Sequence, residues 1–318
     1  MPMKTGMIYG GLTAAPCTKV QGFVPLGPSG ETIPATLING VGEGRTVLVS
    51  SGIHGSEYPG ILTAIELAKE LTPEQISGQL ILFHPVNTAA FYDRRSYINP
   101  IVGENLNRLY PGSPDGSMAE QVAWYMGEEY HKRVDFVIDL HGGDIPETLP
   151  PYVYAPGVGD PDVLKASMEA ALLVNADYLV KSKSTTGFYN SCAIQGTPAI
   201  LIERGSQGIW SRDEVDTYKA DVKNLLVHLG ILNGAIRQPS KKAYVLTNVV
   251  FLDAPVSGCW LPEVTLGEHV KKGQRLGIIT DLFGSTLTEI RAEFDSIIIS
   301  FAVSLGIKER DQLITYGI

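Results

Sequence analysis

The clearest chemistry in the chain lies in Ser-Ser-Gly-Ile-His-Gly-Ser-Glu at residues 50–57. This stretch places His54 and Glu57 at H-x-x-E spacing, after a short apolar run that predicts a strand and before a pattern that predicts a helix. Imidazole nitrogen and carboxylate oxygen are ligands that a catalytic zinc takes. Because two ligands on one strand-to-helix turn can converge on one ion, the motif predicts part of a metal site.

A third ligand is predicted at His141, in Asp-Leu-His-Gly-Gly at residues 139–143. The apolar run at residues 135–140 is typical of a buried strand. Parallel strands open a crevice at their carboxyl ends, so residues that follow two such strands meet at one edge of the sheet. His, Glu and His, with a fourth position open to water, form the ligand set of zinc hydrolases.

One further carboxylate, Glu203, directly follows the apolar run at residues 199–202. We expect it at the same sheet edge as His54 and His141. A carboxylate beside a zinc site can accept a proton from water and deliver a proton to a leaving amine. The alternative interpretation is an ordinary exposed glutamate at the end of a strand.

A polar region at residues 89–115 interrupts the apolar pattern and contains a group of Arg and Asn residues. Asn107 and Arg108 are preceded by Arg94 and Arg95. The planar guanidinium fork and the amide N–H suit a carboxylate. In a chain with a formal net charge of −9, this local positive charge predicts a small anionic substrate. The alternative is a surface loop with solvated charges.

The elements that must position these residues alternate between strands and helices. Apolar runs predict strands at residues 46–50, 79–83, 135–140 and 199–202. Helical spacing of apolar residues predicts helices at residues 61–71, 118–134, 161–174 and 213–232. Apolar strands separated by helices predict an α/β fold with a mostly parallel sheet flanked by helices.

The sequence pattern changes near residue 240. Residues 241–318 contain short β-like segments and regular glycine turns, which predict a small all-β barrel or sandwich. We therefore predict a catalytic domain over residues 1–240 and a second domain over residues 241–318.

Composition excludes several function classes. The chain of 318 residues has 25 Lys and Arg against 34 Asp and Glu, which disfavours a nucleic-acid partner. No window approaches the roughly 18 apolar residues of a membrane span. Residues 1–16 lack the sustained apolar segment of a secretion signal, so a cytoplasmic location is the default prediction. The sequence leaves a homo-oligomer open.

Four motifs together resemble the succinylglutamate desuccinylase/aspartoacylase family, whose deacylases are related to the zinc carboxypeptidases. The motifs occur in the family's order at residues 52–57, 105–108, 139–141 and 203–207. The resemblance implies one zinc ion per chain, held by His54, Glu57 and His141, with Glu203 as the catalytic carboxylate. It also implies a zinc-carboxypeptidase-like fold.

The resemblance also implies how a substrate is held. Asn107 and Arg108 would grip its carboxylate, and an earlier arginine would polarise the scissile carbonyl. Spacing favours Arg95 for the second role, with Arg94 as the alternative. Residues 102–105 read Val-Gly-Glu-Asn where many relatives have Asp-Gly before the Asn-Leu-Asn-Arg motif, so the two arginines stay undecided.

The C-terminal part has a resemblance of its own. Residues 267–277 look like the repeat of biotinyl- and lipoyl-type modules. In such carriers a lysine at a hairpin tip bears the swinging arm, whereas the corresponding residues 280–284 here contain no lysine. A carrier role is therefore disfavoured, and we expect this domain to shape the cleft or to contact another subunit.

Taken together, the sequence predicts a zinc-dependent enzyme that hydrolyses the amide bond of a small N-acyl amino acid or related carboxylate. Two alternatives stay open. One is a carboxypeptidase-like metallopeptidase that acts on short peptides, and the other is a non-catalytic protein that binds a ligand in its arginine-rich cleft.

Overall fold

A nine-stranded sheet with helices on both faces forms the centre of the computed structural model, which describes residues 6–318. Up to residue 246, the strands of the chain, of which nine form this sheet, are β1 (Met7–Tyr9), β2 (Leu12–Ala14), β3 (Thr18–Pro25), β4 (Thr32–Asn39), β5 (Gly42–Ser51), β6 (Ser77–Pro85), β7 (Phe136–His141), β8 (Glu147–Thr148), β9 (Tyr152–Pro156), β10 (Tyr178–Ser182), β11 (Ala199–Glu203) and β12 (Tyr244–Leu246). The helices are α1 (Tyr58–Glu70), α2 (Thr88–Asp93), α3 (Met118–Glu129), α4 (Pro161–Ala171), α5 (Phe188–Ile194) and α6 (Arg212–His228).

The strand order of the large sheet is β12-β10-β9-β11-β7-β5-β6-β4-β3. Strands β11, β7, β5 and β6 are parallel to one another and form its middle. Strand β9 runs antiparallel to β11, and β4 and β3 extend the other edge as antiparallel strands. The predicted α/β fold with a mostly parallel, helix-flanked sheet is therefore confirmed.

Burial explains why the central strands read as apolar runs. All six residues of β7 are buried, because a separate apolar cluster covers each face of the sheet. Leu48, Ile81 and Val137 lie in one cluster, while Val47 and Ile138 lie in the other. Alternate residues of each strand thus stabilise opposite layers of the fold.

Three helices end three to five residues earlier than their apolar periodicity predicts, and one of them is α4, which ends at Ala171 instead of residue 174. Helix α6 ends at His228 instead of residue 232, because Gly230 adopts φ of +76°, a left-handed conformation that terminates helices. Helix α3 ends at Glu129, and a short 3-10 turn over His131–Arg133 completes the predicted segment. In helices α3 and α6, the residue immediately before the first turn is a serine that forms a capping box with a glutamate.

The C-terminal part is a sandwich of antiparallel sheets. Its strands are β13 (Val249–Asp253), β14 (Gly258–Pro262), β15 (His269–Val270), β16 (Arg275–Thr280), β17 (Thr286–Arg291), β18 (Ser296–Ala302), β19 (Gly306–Ile307) and β20 (Gln312–Gly317). One sheet has the order β13-β20-β18-β15 and the other β17-β16-β14-β19. A core that includes Trp260, Ile298 and Tyr316 fills the space between them, so the predicted all-β sandwich is confirmed.

Strand pairing connects the two parts of the chain in both directions. Strand β12, beyond residue 240, adds to the edge of the large sheet by parallel pairing with β10. Strand β8, from the first part, pairs with β18 of the C-terminal sheet. The division into domains at residue 240 stays a prediction.

Helix length and hydropathy bear on the membrane prediction. None of the helices within residues 6–318 is both long enough and apolar enough to cross a bilayer. Residues 1–5, which belong to the stretch 1–16 considered for a secretion signal, lie outside the described residues. The cytoplasmic location stays a prediction.

A buried ion pair fixes the end of strand β11 against helix α6. Arg204 Nη2 lies 2.7 Å from Asp221 Oδ2, and both side chains are almost fully buried. The same nitrogen donates to the carbonyl of Asn175, whose N–H donates to Asp221 Oδ1. Breaking such a pair leaves an unpaired buried charge, which costs more than the pair contributes.

We therefore predict that Asp221→Ala lowers the free energy of unfolding by about 3–5 kcal/mol, because Arg204 stays buried without its carboxylate. Chemical denaturation followed by circular dichroism measures this. The matched control is Asp216→Ala on the same helix, whose exposed ion pairs contribute at most about 1 kcal/mol. Equal losses in the two variants would contradict the prediction.

Candidate active site

Three neighbouring parallel strands deliver their last residues to one edge of the large sheet. In the pairing of β5 with β7, Ser51 lies opposite Leu140, and in the pairing of β7 with β11, His141 lies opposite Glu203. The register of the strands therefore brings together the polar residues at the ends of these apolar strands.

The segment between β5 and α1 carries the first two of these residues, His54 and Glu57. Gly55 allows this segment to lie directly on helix α2, because a Cβ atom there would be 2.3 Å from the Phe91 nitrogen. Glu57 is the residue immediately before α1, and a proline in the first turn of that helix fixes where it begins. The segment is thus held in one conformation with both side chains at the sheet edge.

His54, Glu57 and His141 form a compact buried group. His54 Nδ1 lies 2.7 Å from Glu57 Oε1, and His141 Nδ1 lies 2.9 Å from Glu57 Oε2. Each residue offers a ligand atom, and these atoms lie within 4.8 Å of one another. The group has the composition and the spacing to hold a metal ion.

Hydrogen bonds on the outer side of both rings determine which nitrogen carries the proton. Asn105 Oδ1 accepts from the Asn107 N–H, so it is an acceptor for His54 Nε2 at 3.1 Å as well. His141 Nε2 lies 3.2 Å from Asp139 Oδ2, which is also an acceptor. In a neutral imidazole the proton then sits on Nε2, and Nδ1 presents a lone pair.

Two imidazole Nδ1 atoms thus face one carboxylate, an arrangement that is stabilised by positive charge, either on the rings or on a cation between them. Burial by itself raises the pKa of Glu57, but His141 and His54 lower it to about 2, so the carboxyl is ionised. Burial likewise lowers the pKa of His141, yet Glu57 and Asp139 raise it well above its usual value. A divalent cation at this place would satisfy all three ligands, so the residues fit a metal ion.

Glu203 lies beside this group with one oxygen unused. Its Oε2 is buried, and no group within residues 6–318 lies at hydrogen-bond distance from it. Burial raises the pKa of the Glu203 carboxyl well above its usual value. A buried polar atom without a partner is costly in a native fold, which is typical of a group that meets a ligand or a reacting molecule.

His54, His141 and Glu203 line a cavity of about 530 Å³ that lies between the large sheet and the C-terminal strands. Its wall includes four tyrosines: Tyr97, Tyr152, Tyr154 and Tyr189. From the C-terminal part, Phe251 on β13 and Gln312 on β20 contribute to the same wall. The cavity is therefore closed by both parts of the chain, and its volume is that of a small-molecule site.

Asn107 and Arg108 both lie in the wall of this cavity. Asn107 is buried, and its Oδ1 accepts from the Phe188 N–H at 2.9 Å. This contact identifies the amide oxygen, so the Nδ2 group of Asn107 is free to donate. The neighbouring amide and guanidinium can together donate to a carboxylate.

Arg94 and Arg95 lie elsewhere. Both are exposed, and neither is among the residues that line the cavity. Arg94 has φ of +54° and ends helix α2, while the Arg95 carbonyl accepts from the Ser56 hydroxyl. The role of either arginine in polarising a carbonyl stays a prediction.

Sequence reasoning did not find Tyr97 and Glu147, which also line the cavity. The Tyr97 ring meets His54 edge to face with centroids 5.3 Å apart, and its hydroxyl lies 3.4 Å from Glu147 Oε2. Tyr97 has φ of +56°, and Asp144 holds this backbone by accepting from its N–H and from Ser56. These contacts join distant segments, and no local pattern indicates them.

Comparison with known proteins identifies the family. The succinylglutamate desuccinylase/aspartoacylase catalytic domain matches residues 43–229, which contain the whole group of metal-ligand candidates and Glu203. The chain belongs to this family. The predicted family is confirmed, and with it the predicted class of enzyme, an amide-hydrolysing deacylase.

Similar proteins extend over nearly the whole chain. An N-alpha-acetyl-L-2,4-diaminobutyric acid deacetylase of Halomonas elongata is 29% identical over 280 residues, covering 84% of this chain and 80% of the relative. The product-bound ectoine utilization protein EutE (DoeB) of Ruegeria pomeroyi is 27% identical with a TM-score of 0.83, covering 99% of this chain and 98% of that chain. A succinylglutamate desuccinylase of Silicibacter sp. TM1040 is 26% identical with a TM-score of 0.80 over the same shares. These likenesses lend no support to a peptidase or to a non-catalytic protein.

Tyr218 on helix α6 ties the two strand ends that carry His141 and Glu203. Its hydroxyl lies 2.6 Å from the Ile202 carbonyl and 3.0 Å from the His141 carbonyl, and it accepts from the His141 N–H. This one buried group therefore holds β7 and β11 in register at the site.

We predict that Tyr218→Phe lowers the free energy of unfolding by about 1–3 kcal/mol, because buried backbone groups of His141 and Ile202 lose their partner. Urea denaturation provides the measurement. Tyr110→Phe is the control, since the Tyr110 hydroxyl is buried without a hydrogen bond in the described structure and its removal should cost less. A smaller loss in Tyr218→Phe than in Tyr110→Phe would refute this role.

Proposed function

We propose that this protein is a zinc-dependent deacylase that hydrolyses the amide bond of a small N-acyl amino acid. The observation that carries the proposal is the position of Glu203, whose unused Oε2 lies beside the buried His54, Glu57 and His141 group. This arrangement would place a metal site and a general base next to each other at one cavity, and both are needed for amide hydrolysis by a zinc enzyme.

His54, Glu57 and His141 would hold one zinc ion per chain. A zinc ion held by such ligands polarises a carbonyl and makes water more acidic. The protein contributes the orientation of the ligands, because Asn105 and Asp139 accept from the outer nitrogens of the two rings.

Glu203 would move the protons of the reaction. A cation at the neighbouring site would oppose the effect of burial and keep the Glu203 carboxyl ionised, so its Oε2 would accept a proton from the attacking water and would afterwards donate a proton to the nitrogen of the leaving amine. Because this oxygen has no partner within the described residues, it is available for both steps without breaking a hydrogen bond of the fold.

Asn107 and Arg108 would position the substrate through its carboxylate. The Nδ2 group of Asn107 is free to donate because Phe188 occupies the amide oxygen, and Arg108 adds a charged donor from the next residue. Such positioning is part of the rate acceleration, since it holds the amide close to the base and the metal.

Cavity size and the relatives support a small substrate. The volume of about 530 Å³ suits an acylated amino acid, and residues of β13 and β20 form part of the cavity wall. The relative from Halomonas elongata is named for an acetylated amino acid, and we propose the same substrate class here. Turnover of an N-acetyl amino acid should therefore exceed that of a tripeptide.

Replacing Glu203 tests the proposed base. We predict that Glu203→Gln lowers kcat by about 10²–10⁴-fold, because the amide cannot accept the proton from water. Zinc content, measured by atomic absorption, should stay at one ion per chain, since Glu203 is outside the ligand group. Glu43→Gln, at an exposed position near the start of β5, is the control and should keep the wild-type kcat. Wild-type turnover in Glu203→Gln would exclude this residue as the base.

Replacing a ligand tests the proposed metal site. We predict that His54→Ala lowers zinc affinity by more than the roughly 10–100-fold caused by outer-shell changes, with loss of activity. The control is His84→Ala on β6, because the His84 ring contacts Thr36 and lies outside the ligand group. Zinc titration with a competing chelator measures both variants, and equal affinities would rule out the site.

A further inference from the structure

The cavity wall carries charges of both signs, and they come from different parts of the fold. Arg108, Lys181 and Lys183 bring positive charge from the first part of the chain. Glu147, at the start of β8, and Asp253, at the end of β13, bring negative charge from strands of the C-terminal sheet. A substrate with an anionic and a cationic group would match this distribution.

Glu147 lacks the contacts that a carboxylate in such a position normally has. Its Oε2 lies 3.4 Å from the Tyr97 hydroxyl, and its Oε1 lies 3.4 Å from Gln312 Nε2. Hydrogen bonds to an ionised carboxylate are usually about 2.7–2.9 Å long, so both donors are loosely placed. None of the lysine, arginine and histidine side chains of residues 6–318 forms an ion pair with Glu147.

The surroundings of Glu147 make the lack of close hydrogen-bond donors energetically important. Burial raises the pKa of the Glu147 carboxyl to about 7, although the nearby hydroxyl groups of Ser300 and Tyr97 act to lower it. A carboxylate that is removed from water and has only long hydrogen bonds to the protein is stabilised by a cationic donor more than an exposed carboxylate is.

The position of Glu147 relative to the reaction centre limits what that donor can be. A single aromatic ring, that of Tyr97, separates Glu147 from His54. In a bound N-acyl amino acid, the side chain extends from the carbon that carries the scissile amide, so its end lies only a few bonds from the acyl group. An amino group at the end of that side chain would reach Glu147 while the acyl group lies at the metal site.

We propose that Glu147 is a specificity-determining residue that binds the ammonium group of an N-acyl diamino acid. This inference rests on the proposed function, and it names a recognition residue for the cationic side chain of the substrate. The Tyr97 hydroxyl and the Gln312 amide lie near the two carboxylate oxygens of Glu147, and the exposed Asp253 adds negative charge to the cavity wall.

The test compares two substrates that differ in one group. Nα-acetyl-L-2,4-diaminobutyrate and N-acetyl-L-norvaline have side chains of the same length, but the first ends in an ammonium and the second in a methyl group. Wild-type protein should prefer the first substrate in kcat/KM. In Glu147→Gln this preference should fall by about 10–100-fold, mainly through a higher KM for the diamino substrate.

Further variants separate recognition from a structural role. Glu147→Asp keeps the charge and should retain more of the preference than Glu147→Gln does. Glu309→Gln, an exposed position in the C-terminal part that does not line the cavity, should leave the preference unchanged. Thermal melts of all variants verify that each is folded.

Each outcome decides between the two proposals. Equal losses on both substrates in Glu147→Gln, or a wild type that prefers N-acetyl-L-norvaline, would overturn the role of Glu147 and leave the deacylase function intact. Failure of the wild-type protein to hydrolyse any N-acyl amino acid, with zinc bound, would instead overturn the proposed function and this inference with it.

Discussion

The structure of the site depends on one electrostatic constraint, the meeting of two imidazole rings with a buried carboxylate. The Nε2 groups of His54 and His141 point to acceptors, so their Nδ1 atoms face the two oxygens of Glu57. A buried carboxylate in such a group needs positive charge beside it, carried by the rings or by a cation between them. In the proposed metal site, the hydrogen bonds outside the ligand set would orient both rings toward the ion, which is the usual way in which outer contacts tune a metal site.

The fold supplies rigidity where this constraint needs it. Parallel pairing aligns the ends of β5, β7 and β11, and Tyr218 fixes two of those ends through their backbone groups. Beyond Glu203, the buried pair of Arg204 and Asp221 anchors the chain to α6. Because His141 and Glu203 end two packed strands, and the segment that carries His54 and Glu57 is held between β5 and α1, small errors in the separation of these groups are suppressed before any ion binds.

Local sequence patterns predicted the central sheet and the site at its edge, but not the outer strands. The runs at residues 46–50, 79–83, 135–140 and 199–202 are apolar because both faces of their strands are covered, so composition alone identifies them. Strand β3 lies at an edge and is mostly half-exposed, and β4, although mostly buried, contains Thr32, Pro34, Thr36 and Asn39 among its apolar residues, so both give a weaker signal. The sequence did not predict that Tyr97 and Glu147 line the site, because their contact joins residues 50 positions apart, and such long-range contacts leave no local sequence pattern.

The C-terminal strands alter the chemistry of a cleft whose reacting groups all come from the first part of the chain. They bring Phe251, Asp253 and Gln312 into the wall, and through pairing with β18 they fix the strand that carries Glu147. The proposed metal site and base could therefore stay constant while this wall varies in charge and shape. Because a carboxylate without an ion-pair partner discriminates against a substrate that cannot pair with it, the proposed role of Glu147 would let one residue in that wall separate acylated diamino acids from neutral ones.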